Sequence, residues 1–410
     1  MLLEFKVENF KSFKEETSFT MEATVDKRHP QNLISEGKFN FLKTSMIYGA
    51  NASGKTNLID AMGLLRIFVL KSHSHVPELL LLQYPFIFDG ISRSKPTRFQ
   101  IKFLKNKTIY DYSFSYDANG ITKESLTYSP NGRLSTIFKR NGQEFIFTKN
   151  KGEQKLISER VKKTSLYLSV SYQFNCNITK DAFEWFLNDF LVLVNNNVDT
   201  SLNALIHRMD SNTLFDARVK KAFKIADFGI VAIKDKSKAQ KDVGGTIQGP
   251  FVPMFSFQDI WVDHNIIDKS GNSITIELPI NQESSGTIRF ISTIGPIIDA
   301  LSKGSTLAVD ELDVNFHPDL CKWIMSLFYS PEENPHGAQL IFNTHDVGLL
   351  NLDEIRRDQV WFVEKQWETG ESHLVPLSEY KERNDRDIRN SYINGRYYAK
   401  PFISTERLME

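Results

Sequence analysis

Apolar and polar residues alternate along much of the first 150 residues, and this period of two is typical of β-strands. The pattern predicts a strand over residues 3–7, a second short strand around 18–21, and a long alternating region from 84 to about 147. Turn residues interrupt the long region at 117–120, 130–132 and 141–142. We therefore expect an antiparallel meander within 84–150. The polar residues 26–38 are expected to form a loop.

Apolar residues return at helical spacing in two other regions. Residues 55–71 carry an apolar stripe, which predicts one long amphipathic helix. From 179 to about 227 a second helical pattern places Phe183, Phe186 and Phe190 on one face, as in a helix packed against a core. This region predicts a helical lobe.

Three shorter apolar runs predict further strands. One lies within 158–175, and the other two, at 306–309 and 339–343, are apolar at successive positions, as in strands buried on both faces. Buried strands that alternate with helices predict an α/β fold, here with a mixed sheet.

The segment between a short apolar strand and the long predicted helix fits the pattern G-x-x-x-x-G-K-[ST] of phosphate-binding loops. Gly49 and Gly54 are expected to adopt backbone angles that a β-carbon would forbid, so that successive N–H groups bind an anion at the start of the helix. Lys55 is expected to reach the β- and γ-phosphates, and the Thr56 hydroxyl to bind Mg²⁺. The predicted loop residues are Gly49, Ala50, Asn51, Ala52, Ser53, Gly54, Lys55, Thr56 and Asn57.

Polar residues follow both of the buried strands, at the sheet edge where ligands bind in open α/β folds. Asp310 would there bind Mg²⁺, usually through water, and Glu311 would orient and deprotonate an attacking water. His345 can hydrogen-bond the γ-phosphate or position that water. Taken alone, the acids could simply cap a strand and the histidine could be structural, but the phosphate loop favours the catalytic interpretation.

A polar Ser-x-Gly turn at Ser284 and Gly286 opens another predicted helix. It is either an ordinary serine cap or a second anion site, which would suit the nucleotide of a second subunit. Lys55 and Asp310 lie 255 residues apart in the chain (310 minus 55), so a large insertion separates the two motifs.

Composition excludes several other classes of protein. The formal net charge is zero, so bulk charge gives no argument for nucleic acid, although residues 218–241 hold eight basic and two acidic side chains. That stretch is either a solvated surface or a contact for nucleic acid or an acidic partner. Two cysteines exclude a disulfide framework and a four-cysteine zinc site. With no signal peptide and no apolar run of about 20 residues, we expect a cytoplasmic protein with no membrane segment.

The motifs, taken in chain order, resemble the ATP-binding-cassette (ABC) ATPases of the RecF and SMC type. The resemblance implies ATP and Mg²⁺ as cofactors, and a homodimer or larger homo-oligomer in which two heads enclose two ATP molecules. Gln173 would then sense Mg²⁺ and the γ-phosphate, and Lys11 would approach the nucleotide. Ser284, Gly286 and Arg289 would form the signature that acts on the other subunit's ATP. Asp313 would lie in the loop that crosses the dimer, and His345 would be the switch histidine.

A narrower similarity, to the AbiLi/RloA-like ATPases of bacterial abortive-infection and phage-defence loci, covers nearly the whole chain. It rests on residues 3–13, 48–57, 285–287, 310–313, 317–318, 357–362 and 392–397. It implies an α/β ABC-ATPase head with a mixed sheet, a β-rich subdomain and an inserted helical lobe. The expected domain limits are 1–175, 176–265 and 266–410.

Three functions remain open from the sequence. The first is an ATP-hydrolysing sensor and regulator of a separate toxic effector, such as an RloB-like or TOPRIM-type nuclease; only 65 residues follow His345, which is short for a fused nuclease. The second is a RecF-like DNA-maintenance ATPase. The third is a GTPase or a non-hydrolysing scaffold, and Glu311 argues against the scaffold.

Overall fold

The computed structural model describes residues 1–37, 39–74, 83–130, 132–194, 198–226, 228–236, 259–380 and 387–397. Its strands are β1 (Leu2–Glu8), β2 (Thr17–Thr20), β3 (Leu33–Glu36), β4 (Phe39–Leu42), β5 (Thr44–Gly49), β6 (Thr97–Lys105), β7 (Thr108–Asp117), β8 (Gly120–Ser129), β9 (Ser135–Asn141), β10 (Glu144–Phe147), β11 (Phe190–Leu193), β12 (Ile230–Asp235), β13 (Ile260–Ile267), β14 (Ser273–Pro279), β15 (Thr306–Val309), β16 (Gln339–Asn343), β17 (Val360–Lys365) and β18 (Ser372–Pro376). Its helices are α1 (Lys55–Lys71), α2 (Lys151–Ser158), α3 (Tyr167–Gln173), α4 (Asn177–Glu184), α5 (Val198–Ser211), α6 (Thr213–Ile225), α7 (Ser285–Lys303), α8 (Pro318–Tyr329) and α9 (Ile388–Ile393).

A six-stranded sheet forms the centre of the molecule, in the order β11-β15-β16-β5-β17-β18. The first five strands are parallel, and β18 pairs antiparallel with β17. Every residue of β5, β15 and β16 is buried, which explains why these strands are apolar at successive positions. The predicted α/β class with a mixed sheet is confirmed.

A seven-stranded antiparallel sheet packs on the other side of α1, in the order β10-β9-β8-β7-β6-β1-β2. The predicted meander is therefore continuous with the N-terminal hairpin. The turns at 117–120 and 141–142 join neighbouring strands as predicted. The turn predicted at 130–132 includes residue 131, which lies outside the described residues.

Three predicted elements differ from the structure. The apolar run in 158–175 forms helix α3 rather than a strand, because the buried Glu124 carboxylate accepts hydrogen bonds from the backbone N–H groups of Tyr167 (2.7 Å) and Leu168 (2.9 Å) at the start of the helix. Phe190 begins strand β11 instead of continuing a helix, because residues 190–193 pair with β15. The predicted loop at 26–38 contains a short strand, β3, that pairs with β4.

The region of the predicted helical lobe combines helices with a three-stranded sheet. Helices α5, α6 and α7 pack on β12 and β13 around a core that includes Phe223 and Phe290. Strand β13 spans the expected domain limit at 265, and the three expected domain limits remain predictions. Within the described ranges, no helix has the length and apolar composition needed to cross a bilayer.

Candidate active site

The loop between β5 and α1 has the tight backbone that its sequence predicts. Ala52 and Gly54 have positive φ angles of 61° and 113°, in the region that favours glycine. A β-carbon on Gly54 would lie 2.7 Å from the side-chain oxygens of both Ser12 and Ser372, so only glycine fits there. Asn51 and Ala52 are exposed at the tip of the loop.

Gly49 is required for a different reason than the one predicted. Its φ is not positive, but a β-carbon would lie 2.5 Å from the Ser53 hydroxyl and 2.7 Å from the carbonyl oxygen of Val363 on β17. The first glycine of the loop therefore allows close approach of the neighbouring strand, and only the second supplies an unusual backbone angle.

Lys55 folds back on its own loop. Its Nζ donates hydrogen bonds to the carbonyl oxygens of Gly49 (2.8 Å) and Ala50 (3.0 Å), and the residue is 7% exposed. Burial lowers the pKa of Lys55 to about 8, although Glu311 and Asp313 act in the opposite direction. A buried cation held only by neutral carbonyl groups can turn to a phosphate group, which offers a stronger charge-assisted hydrogen bond.

Asp310 lies at the carboxyl end of β15 and is almost fully buried. Its Oδ1 accepts a hydrogen bond from Asn343 Nδ2 (2.6 Å), and its side chain is also hydrogen-bonded to Thr56. Burial raises the pKa of Asp310. The described residues contain no group of three or more metal-ligating side chains. A hydroxyl and a carboxylate side by side nevertheless fit Mg²⁺, which commonly takes one or two protein ligands together with water and phosphate oxygens.

Glu311 follows with a positive φ of 50°, an uncommon angle for a residue with a side chain. Two buried side chains hold this backbone. Asn343 accepts a hydrogen bond from the Glu311 N–H, and Arg289 Nη2 donates to the carbonyl oxygens of Asp310 (2.6 Å) and Glu311 (3.1 Å). Arg289 therefore lies behind the acid pair, where it can position the Glu311 carboxylate at the sheet edge.

His345 lies just beyond β16, next to the acid pair. Its backbone N–H donates to Asp313 Oδ2 (2.9 Å), while Asp313 Oδ1 is buried and has no hydrogen-bond partner within the described residues. Partial desolvation and the nearby Lys55 cation lower the pKa of His345, so its ring is mainly neutral at pH 7. The neutral imidazole can donate or accept one hydrogen bond at this edge.

The first turn of the chain packs on the phosphate loop and α1. Lys11 Nζ forms an ion pair with Asp60 of α1 (2.5 Å), and Ser12 Oγ accepts a hydrogen bond from Asn57 Nδ2 (2.8 Å). The structure thus brings Lys11 to the first turns of α1, close to the loop.

The Ser-x-Gly turn begins helix α7 as predicted. Ser284 caps the helix by accepting a hydrogen bond from the Thr287 backbone N–H (3.0 Å), and its side chain is exposed. A β-carbon on Gly286 would lie 2.6 Å from the carbonyl oxygen of Asn315, so this turn packs tightly against the loop after Glu311.

Gln173 is not brought to the phosphate loop. It lies at the end of α3, one helical turn after Ser169, whose hydroxyl lies 3.3 Å from the backbone nitrogen of His73. His73 follows the C-terminal end of α1, about 25 Å from the phosphate loop at the other end of this 17-residue helix. This placement contradicts the predicted contact of Gln173 with Mg²⁺ and the γ-phosphate. The strand that lies beside Asp310 is β11, whose Leu193 carbonyl accepts the Asp310 N–H (2.9 Å).

Sequence reasoning missed two residues at the site. Asn343 joins the two acids through its side chain, and its signal in the sequence was a polar residue at the end of an apolar strand. Tyr392 of α9 packs on Tyr48 (ring centroids 5.6 Å apart), and its hydroxyl is hydrogen-bonded by the backbone of Gly49. No local pattern could indicate that contact, because almost the whole chain separates the two residues.

The basic stretch at 218–241 is largely neutralised where it is described. Lys220, Lys234 and Lys236 each form an ion pair with a nearby carboxylate, at 2.5–2.8 Å. Residues 237–241 lie outside the described residues. These pairs weaken the argument for a nucleic-acid contact at this stretch.

Comparison with known families finds one match. Residues 45–351, which are 307 of the 410, match the family described as "AAA domain, putative AbiEii toxin, Type IV TA system". The matched region begins in β5 and ends after β16, so it contains the phosphate loop, the acid pair and His345. No curated protein matches the chain.

Solved structures of SMC heads are similar to this chain at low identity. The SMC head bound to the C-terminal winged-helix domain of ScpA has 13% identity over 91% of this chain and 97% of that chain, with a TM-score of 0.46. The SMC head domain from Thermotoga maritima has 13% identity over 92% and 98%, with a TM-score of 0.40. An Smc head with coiled coil and joint from Pyrococcus yayanosii has 11% identity over 93% and 99%, with a TM-score of 0.37.

Proposed function

Because the chain belongs to the family of AAA domains described as putative AbiEii toxins of type IV toxin–antitoxin systems, we propose that it binds ATP with Mg²⁺ and hydrolyses it. One observation carries this proposal. The phosphate loop, the Asp310-Glu311 pair and His345 follow three neighbouring parallel strands, β5, β15 and β16, and meet at one edge of the sheet.

Each side chain at this edge has a role that its surroundings support. Lys55 and the loop N–H groups would bind the phosphates, while Thr56 and Asp310 would hold Mg²⁺, which neutralises phosphate charge. Glu311 would accept the proton of the attacking water, and the neutral His345 would hydrogen-bond the γ-phosphate or that water. Asn343 and Arg289 would position Glu311.

The signature turn supports an ATP-bound dimer. Ser284 is exposed at the start of α7, where backbone N–H groups favour an anion. The phosphate loop already uses the start of α1, so the anion at α7 would be the ATP of a second copy of the chain. Asp313 belongs to the loop after Glu311, against which Gly286 packs, and would lie in the same interface.

The biological role that we propose is regulation of a separate toxic effector in bacterial anti-phage defence. The family description, which names a toxin–antitoxin system, supports a role in defence. The effector would be a distinct protein, for which an RloB-like or TOPRIM-type nuclease is the candidate. ATP binding and hydrolysis would switch the oligomer between states that hold and release it.

ATP turnover and mass in solution of the wild type and Glu311→Gln test this proposal. We expect Glu311→Gln to lose at least about 100-fold in kcat, since general-base catalysis contributes 10²–10⁴-fold, while it still binds ATP. We also expect it to accumulate an ATP-dependent dimer or larger assembly. Glu368→Gln is the matched control, because Glu368 is an exposed carboxylate in the turn between β17 and β18.

Normal turnover by Glu311→Gln would overturn the assignment of the general base. An unchanged mass with ATP in both proteins would overturn the role of Ser284 and Gly286 across a dimer, unless the assembly already exists without nucleotide. The mass without nucleotide, measured in the same series, shows whether the assembly already exists before ATP is added.

A further inference from the structure

A cavity of about 550 Å³ lies between the edges of the two largest sheets, and its lining includes Ser372, which hydrogen-bonds to Ser53 of the phosphate loop. One wall is β2, the last strand of the seven-stranded sheet, and the other is β18, the last strand of the six-stranded sheet. This volume is in the range of sites that bind small ligands or short peptides.

Two aromatic side chains, Trp361 and His373, line the cavity. Trp361 is 5% exposed and packs on Phe19, with ring centroids 5.1 Å apart. Within the described residues, Trp361 Nε1 and His373 Nε2 are buried and have no hydrogen-bond partner. Neither nitrogen is accessible to solvent, so a ligand in the cavity would contact other atoms of its lining.

The β18 wall offers backbone groups for pairing. The Ser372 N–H points away from β17, because it donates to the carbonyl oxygen of Ser12 (2.8 Å). Backbone groups alternate in direction along a strand, so the N–H and C=O of Leu374 also point away from β17. Leu374 lines the cavity, and such an edge can pair with an added strand.

The rim of the cavity is acidic. Four of its six carboxylates pair with basic side chains: Glu16, Glu22, Asp358 and Glu371. The other two, Glu15 beside β2 and Glu379 after β18, are exposed and have no basic partner in the described part of the chain. Two unpaired negative charges on opposite walls favour a ligand that carries positive charge on both sides.

We propose that this cavity binds an extended, lysine- or arginine-rich segment of a partner protein as an added β-strand. The segment pairs with the backbone of Leu374. Its basic side chains reach Glu15 and Glu379. This binding uses no residue of the nucleotide site.

Fluorescence anisotropy with labelled eight-residue peptides tests the proposal in the absence of nucleotide. The first peptide alternates lysine and valine, and the second alternates glutamate and valine. The third repeats the first with every peptide nitrogen methylated, which keeps the charge but removes the backbone N–H donors on both edges of the strand. We expect only the first to bind well. The double variant Glu15→Gln/Glu379→Gln should weaken that binding about fivefold to tenfold, as for the loss of two exposed charge pairs.

Glu153→Gln/Glu159→Gln is the matched control, since both residues are exposed carboxylates at α2, outside the cavity. It should bind the first peptide as the wild type does, and thermal melting should show that both double variants are folded. Equal binding of the N-methylated peptide would overturn strand addition, and equal binding by the rim variant would overturn the site. A change in mass of the rim variant without peptide would identify a second copy of the chain as the occupant and overturn the proposal.

Discussion

Two of the regions that bury charged side chains in this protein differ in how fully those side chains are satisfied. In the meander, the Glu124 carboxylate pairs with Arg140 and accepts hydrogen bonds from Tyr112, Tyr167 and Leu168. At the edge of the six-stranded sheet, Lys55 binds only neutral carbonyl groups, and one Asp313 oxygen has no partner within the described residues. The cluster of Glu124 and Arg140, which we call the closed cluster, joins structural elements together. The cluster at the sheet edge, which we call the open cluster, has capacity left for a ligand.

The strongest test of this comparison breaks the closed cluster. We expect Arg140→Met to lower the free energy of unfolding by about 3–5 kcal/mol, because Glu124 would remain as a buried charge without its partner. Turnover of ATP per folded molecule should not change. Urea unfolding measures the first quantity, with Arg133→Met as an exposed control that should stay within about 0.5 kcal/mol of wild type. A loss below about 1 kcal/mol would show that this cluster does not join the meander to α3.

A second test acts on the open cluster. Asn343→Ala removes the amide that links Asp310 and Glu311, so we expect kcat to fall about 10–100-fold, as for other residues that orient ligands of a metal site. Asn334→Ala is the matched control, because Asn334 is a buried amide before β16 that bonds only its own loop and the end of α8. Both variants should lose similar stability, but only Asn343→Ala should lose turnover. Equal kcat values for the two variants would contradict the positioning role.

The smallest expected effect is a pH dependence of stability from the closed cluster. Burial raises the pKa of Glu124 above its ordinary value of 4.5, so the folded state keeps a proton that the unfolded chain has already lost. The stabilisation from this group is therefore complete below pH 4.5 and is lost as the pH rises through the raised pKa, with a slope of at most about 1.4 kcal/mol per pH unit. Urea unfolding at several pH values should show that slope in the wild type and not in Glu124→Gln. Parallel curves for the two proteins would contradict it.

Sequence patterns predicted the elements whose signals are local. Helix α1 has its predicted limits, and the strands that end beside Asp310 and His345 lie where their apolar runs place them. The loop glycines were predicted at the right positions, although Gly49 is needed for space rather than for its backbone angle.

The errors occur where distant residues decide the structure. A short run with leucines and valine is compatible with either a helix or a strand. Hydrogen bonds to the Glu124 carboxylate stabilise the helix, α3. Pairing with β15 likewise makes residues 190–193 a strand. Gln173 was placed at the site by chain order alone, and chain order carried no information about which strand would lie beside Asp310.

The order of strands in the central sheet has a consequence for synthesis of the protein. Strand β5 lies between β16 and β17, so the phosphate loop leaves the ribosome long before either neighbour exists. From residue 55 to residue 343 the ribosome adds 288 residues, which takes roughly 15–60 s at 5–20 residues per second. A prematurely terminated chain therefore carries the loop around Lys55 without a completed site, and only a nearly full-length product brings Lys55, Asp310 and His345 together.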